Sequence, residues 1–161
     1  MTRPQLDEKI WELHVSLLRL ALSILRHPQN AEDAVSAAVI TAYQKLDTLR
    51  DDHALKSWLM RITARCCYDQ LRKSKREILY DELVETGETL FIEPLEETLY
   101  AKLRQLPEGQ AQVLVLYYYE GYSTAEIAQI LGLPRPAVSM RMTRGRARLK
   151  AMLEEEKINA E

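Results

Sequence analysis

The chain has 161 residues, 47% of them apolar and 29% charged, with a formal net charge of −2, which suits a soluble globular protein of one ordinary domain or two small ones. No apolar run approaches the roughly 20 residues that a membrane-spanning helix needs, and Met1–Ile10 is too charged for a signal peptide, so no membrane insertion and a cytoplasmic location are expected. The average charge hides a segmentation: residues 10–76 hold 11 Lys/Arg against 7 Asp/Glu, residues 77–99 hold 8 acids and no base, residues 100–153 hold 8 bases against 3 acids, and residues 154–161 hold 1 base against 4 acids.

In chain order, Leu6, Ile10, Leu13, Leu17, Leu20 or Ala21, and Ile24 recur at spacings of three and four, the period of one buried helical stripe. His27-Pro28 ends that helix. Asn30, with Asp33 three positions on, is the expected N-cap of a second helix whose apolar stripe is Ala34, Val35, Ala38, Val39, Ala42 and Leu46. A polar loop over 47–53 leads to a third helix with Leu55, Trp58 or Leu59, Ile62, Cys66 and Leu71 on its apolar side. No segment alternates with period two between turn signals, which argues against a sheet. Cys66 and Cys67 are neighbours within a helix, a placement that suits reduced, partly buried thiols and not a routine disulfide or a metal cluster.

Over 77–93 the periodicity fades, acids dominate and Gly87 interrupts, so the segment reads as a linker. A flexible chain of about 17 residues spans roughly 20–25 Å, enough to let two blocks separate. Its acids Glu82, Glu85 and Glu88 would screen the basic blocks from DNA in the isolated protein. Pro94 suits the first turn of a helix continued by Leu95, Leu99, Leu103 and Leu106, and Pro107 the start of another that runs through Val113, Leu114, Leu116 and Tyr117 to Gly121. Tyr117, Tyr118 and Tyr119 point in different directions on such a helix, so packing is their expected role.

The stretch from Ser123 to Arg146 carries the sharpest local signal. Ser123 and Glu126 fit a capping box, Gly132 a left-handed turn, and Pro134 and Pro136 fix where the last helix begins. Val138, Met142, Gly145 and Leu149 fall on its inner face, whereas Ser139, Met140, Thr143 and Arg144 fall outside. This is a helix-turn-helix whose second helix suits the major groove. Arg135, Arg141, Arg144, Arg146, Arg148 and Lys150 lie within 16 positions that contain no acid, against the alternative of a helical hairpin with a solvated basic face. In the first block Arg61, Arg65, Tyr68 and Arg72 fall on one helical stripe, extended by Lys73, Lys75 and Arg76; cations interleaved with an aromatic suit unpaired bases, with a solvated face as the alternative. Trp58 on these residues alone reads as core.

Enzymatic signatures do not occur: there is no P-loop, no glycine-rich dinucleotide fingerprint, no HExxH and no Gly-x-Ser-x-Gly elbow. His14, His27 and His53 are scattered and have no carboxylate at ligand spacing. No enzymatic activity, cofactor or metal is expected.

The two blocks in this order resemble the extracytoplasmic-function (ECF) group of bacterial sigma factors over residues 10–153. In the first block the resemblance rests on Ala31-Glu32-Asp33-Ala34-Val35, Ala42-Tyr43, Ser57-Trp58-Leu59-Met60-Arg61-Ile62 and Asp69-Gln70-Leu71-Arg72. In the second it rests on Leu106-Pro107, Tyr119-Glu120-Gly121-Tyr122-Ser123, Glu126-Ile127-Ala128, Ile130 to Pro134, and Val138 with Arg144. It implies an all-α protein of two small helical domains, 1–76 and 94–161, joined by the acidic linker 77–93, the C-terminal one a helix-turn-helix. The function implied is that of an alternative sigma factor, which binds core RNA polymerase and directs promoter-specific initiation.

By the same resemblance, Glu32, Asp33, Ser36, Val39 and Tyr43 would dock on the clamp helices of the polymerase largest subunit, with the flap region a second polymerase contact. His53, Lys56, Trp58, Arg61, Arg65, Tyr68, Asp69 and Arg72 would capture and melt the minus-ten element of promoter DNA. Arg135, Pro136, Ser139, Met140, Arg141, Thr143, Arg144 and Arg146 would read the minus-thirty-five element, and an anti-sigma factor is a further implied partner. The chain departs from the family pattern at Ser36, Val39, Arg65, Pro136, Ala137 and Ser139. A helix-turn-helix repressor with a ligand-sensing bundle, and a sigma-like interaction protein without initiation activity, are the competing readings.

Overall fold

In the computed structural model the structure describes residues 1–78, 97–107 and 109–159. They form seven α-helices and two 3-10 turns, with no strand among the described residues. The chain divides into two compact units, Met1–Ile92 and Glu93–Glu161.

The N-terminal unit packs α1 (Arg3–Leu25), α2 (Pro28–Gln44) and α3 (Leu55–Ile78) pairwise against one another. Leu6, Leu17, Leu20, Leu22, Leu59 and Met60 are fully buried between them. Helix α2 contributes the small residues Ala31, Ala34, Ala38 and Ala42, whose short side chains let its neighbours approach closely. Ile10, Leu13, Val39 and Leu71, expected in the core stripes, are half-buried. A capping box opens α1: the Gln5 N–H donates to the Thr2 hydroxyl at 3.3 Å, and the Thr2 N–H to the Gln5 side-chain carbonyl at 2.8 Å. The helix closes at Arg26, in the left-handed region at φ 60°.

Helix α2 starts earlier than its sequence suggests. Pro28 takes its first turn, where proline's fixed φ suits the helix and its missing N–H leaves no donor unpaired. The cap is therefore His27, not Asn30: the His27 Nδ1 accepts the Asn30 N–H at 3.4 Å. Leu46 lies beyond the end of α2, in a 3-10 turn over Leu46–Thr48, and a second turn over Asp52–Ala54 leads into α3, so the polar loop is ordered. Residues 77 and 78 continue α3 and are helical, not linker. The remaining linker residues, with Glu82, Glu85, Glu88 and Pro94, lie outside the described residues.

In the C-terminal unit α5 (Gln110–Tyr118) is the central helix, packed against α4 (Glu97–Arg104), α6 (Thr124–Leu131) and α7 (Arg135–Asn159). Ala111 through Leu116 are all buried. Helix α5 begins at Gln110 and not at Pro107, because Gly109 adopts a left-handed φ of 89° that interrupts the chain just before it. The Gln110 N–H closes that turn on the Pro107 carbonyl at 3.1 Å. Buried Gly145 lets α7 pass close to α5: a Cβ added there would lie 3.0 Å from Leu114 Cδ1. An ion pair between Lys102 and Glu156 ties α4 to the far end of α7.

Candidate nucleic-acid interface

The helix-turn-helix of α6 and α7 is assembled from local rules. Ser123 and Glu126 form the expected capping box, with the Glu126 N–H donating to the Ser123 hydroxyl at 3.2 Å and the Ser123 N–H to the Glu126 carboxylate at 3.0 Å. Gly132 turns left-handed at φ 68°, and the Leu133 N–H returns to the Ala128 carbonyl at 3.0 Å. The Pro134 carbonyl then accepts from the N–H groups of Ala137 and Val138, which starts α7 with Pro136 in its first turn. Ile127, Ala128, Val138, Met142 and Leu149 are buried and fix the crossing.

The opposite side of α7 is open. Arg135, Pro136, Ser139, Met140, Thr143, Arg144 and Arg146 are all exposed, and the Thr143 hydroxyl donates to the Ser139 carbonyl at 3.0 Å. Arg135, Ser139, Thr143, Arg146 and Lys150 follow one another at spacings of three or four, a single stripe. Arg141 departs from the expected set: it is half-buried, with its guanidinium over Gly109, where an added Cβ would come within 3.0 Å of Cζ.

Tyr117 and Tyr118 overturn the packing role expected of them. Both are exposed, at 37% and 51%, with rings edge-to-face and centroids 5.0 Å apart. The Arg146 guanidinium stands 4.9 Å from the Tyr117 centroid and 5.9 Å from that of Tyr118, and its Nε donates to the Tyr118 hydroxyl at 3.2 Å. Tyr119 alone turns inward, half-buried. Nearby, burial and the carboxylates of Glu120 and Glu126 push the Tyr122 hydroxyl up to about 12.

In the N-terminal unit an open groove of about 620 Å³ lies between the end of α2 and α3. Thr41, Gln44, Lys45 and Thr48 line one side; Trp58, Arg61, Arg65 and Asp69 line the other. The structure thus joins Trp58, Arg61, Arg65 and Asp69 from the expected minus-ten set, and adds Lys45, which sequence spacing on α3 could not reveal. Trp58 is half-buried with its ring at this groove, not a core residue. Arg72 is exposed and ion-paired with Asp69 one turn earlier, and Tyr68 is half-buried. His53 is exposed in the turn before α3, and Lys56 is half-buried at the start of that helix. The Asp51 carboxylate accepts the His53 N–H at 3.0 Å and lies 3.2 Å from its ring Nδ1; these bonds from His53 hold the carboxyl below its usual range.

Burial pushes both thiols up, that of Cys66 at the groove wall and, further, that of Cys67 in the core, as suits unreactive side chains. On α2, Glu32, Asp33 and Ser36 are exposed, while Val39 and Tyr43 are half-buried. The Tyr43 hydroxyl donates to Asp7 of α1, and the Gln29 amide to Asp33 at 3.0 Å. Ile40, four residues after Ser36 and 58% exposed, extends this face with an apolar side chain that an amphipathic pattern alone did not single out. Among the described residues no group of three or more His, Cys, Asp or Glu is placed to hold a metal ion, and no helix is long and apolar enough to cross a membrane.

The profile of sigma-70 region 2 matches residues 11–77, and that of sigma-70 region 4 matches residues 96–149. The chain is 33% identical to the ECF RNA polymerase sigma factor SigM of Mycobacterium tuberculosis over 150 residues, covering 91% of this chain and 76% of that protein. It is 28% identical to the ECF RNA polymerase sigma factor SigW of Bacillus subtilis, over 85% of this chain and 82% of that one. Among solved structures, the sigma factor RpoE of Bartonella quintana, crystallised with the anti-sigma factor NepR, shares the fold with a TM-score of 0.74 at 24% identity, over 93% of this chain and 97% of that one. The chain belongs to the sigma-70 family, in its ECF group. Proteins of this family confer specificity on transcription initiation and are not enzymes.

Proposed function

We propose that the chain is an alternative sigma factor that binds core RNA polymerase, reads the minus-thirty-five element as duplex through α7, and captures the minus-ten element as opened strand in the groove between α2 and α3. The observation that supports this reading is the presence of two chemically different cationic surfaces in one chain, an exposed basic helix face and a concave groove lined by Trp58 and arginines. A B-form major groove, about 12 Å wide, admits one helix of about 10–12 Å diameter. That geometry suits α7, whose N-terminal half presents an exposed outer face carrying Arg135, Arg144 and Arg146. Unpaired bases instead need ring faces and cations in a concavity, which Trp58, Lys45, Arg61 and Arg65 supply.

The exposed face of Glu32, Asp33, Ser36 and Ile40, with Val39 and Tyr43, offers acids around an apolar centre to the polymerase clamp helices. The flap region is the counterpart for the C-terminal unit. An anti-sigma partner, as recorded for the Bartonella relative, and a cytoplasmic location belong to the same reading.

Purified chain added to sigma-free core polymerase on a genomic library tests it. Transcripts with discrete start sites that depend on the chain are expected. A folded chain that yields none overturns the reading, and tight binding to a palindromic duplex with polymerase unaffected would point to a repressor instead.

A further inference from the structure

We propose that Tyr117 and Tyr118 are positioning residues for duplex binding, which brace the Arg146 guanidinium at the edge of the α7 stripe so that it meets a backbone phosphate already oriented. The proposal rests on the reading of the C-terminal unit as a duplex reader. Arg146 shares its stripe with Arg135, Ser139, Thr143 and Lys150, all exposed. An unbraced arginine loses rotamer freedom on reaching a phosphate, and that loss weakens binding. Here the freedom is already lost in the folded protein: the guanidinium lies against the Tyr117 ring, and Nε is bonded to the Tyr118 hydroxyl.

Among the described residues, nothing takes the terminal nitrogens of Arg146, which therefore keep their donors for a phosphate. Core formation does not explain the tyrosines. Ala111–Leu116 complete the buried face of α5, and the two tyrosines that follow are exposed to 37% and 51%. Their contact with one arginine of α7 combines ring face and hydroxyl, and phenylalanine could supply the first but not the second.

The test measures binding of the full chain to a mixed-sequence B-form duplex across a salt series. Arg146→Ala is expected to lower the slope of log affinity against log salt by about 0.9, one phosphate contact. Tyr117→Leu combined with Tyr118→Phe is expected to weaken binding about three- to tenfold and move the slope in the same direction. Restoring the ring with Phe at position 117 should recover most of the part due to Tyr117. In the Arg146→Ala background the tyrosine substitutions should change nothing.

Unchanged or tighter binding by the tyrosine variant overturns the proposal, and so does an equal loss in the Arg146→Ala background. A wild-type chain that binds no duplex at low salt removes the duplex reading and this proposal together, whereas wild-type binding with unaffected tyrosine variants removes the proposal alone.

Discussion

Ser123 and Glu126 cap α6 reciprocally, each side chain accepting the other's backbone N–H. The bonds donated by Ser123 hold the Glu126 carboxyl below its ordinary range. A carboxyl with a depressed folded-state pKa adds stability above its unfolded value and loses it as pH falls through the folded one. Thermal unfolding of the wild type should therefore acquire an extra acid sensitivity below about pH 4–5. Glu126→Gln, which keeps a carbonyl acceptor without the charge, should lack that component. Parallel acid titrations of the two melting temperatures check this, and identical acid profiles would show the idea wrong.

Ser123→Ala removes the other half of the box and should cost about 1 kcal/mol, or roughly 4–8 °C in melting temperature for a unit of this size. Ser123→Asn, another favoured cap, should recover most of it. Circular dichroism melts of the three proteins provide the check.

The features read directly from sequence are those whose cause is local. Spacings of three and four placed the stripes of α1, α2 and α7, since burial of one face requires that period. Gly132 and the Ser123–Glu126 pair announced the turn because few residues satisfy left-handed backbone or orphan N–H groups. His27 escaped notice as a cap because histidine is not among the favoured capping residues, although Pro28 beside it marked a first turn. Gly109 escaped because its left-handed φ is set by how the chain enters the core. The Arg146–Tyr118 bond spans 28 positions and depends on the crossing of α5 and α7, so no local pattern contains it. The groove in the N-terminal unit is half legible: the α3 stripe gives Arg61 and Arg65, but the other wall, with Lys45, comes from the end of α2 and the turn after it.

Gly109→Ala tests the entry to α5. At φ 89° an L-residue costs about 1–2 kcal/mol, while the Arg141 guanidinium that the new methyl meets is the movable end of a long side chain. A destabilisation of about that size is expected, and it should persist in an Arg141→Ala background. If the cost vanished there, the clash and not the backbone would be its origin.

The groove makes a spectroscopic prediction. Trp11 is 84% exposed on α1, so Trp11→Phe leaves Trp58 as the sole indole. Single-stranded DNA should quench its emission by stacking, and the double substitution Arg61→Glu, Arg65→Glu should abolish the quenching without changing helix content. Duplex DNA of the same sequence should quench far less, because its bases are already stacked. Equal quenching by both would place the nucleic acid elsewhere on this unit.

Arg144→Glu separates the two surfaces. Arg144 is exposed on the outer side of α7, remote in sequence from the α2 face of Glu32, Asp33, Ser36 and Ile40. Losing one base-edge or phosphate contact and placing a carboxylate against the DNA should weaken minus-thirty-five protection by about tenfold or more. Affinity for core polymerase should stay unchanged, because the proposed docking on the clamp helices uses the α2 face and does not involve Arg144. Footprinting of holoenzyme alongside a direct core-binding titration distinguishes the outcomes: lost polymerase binding with footprint and core affinity falling together would mean that α7 faces the polymerase and not the promoter.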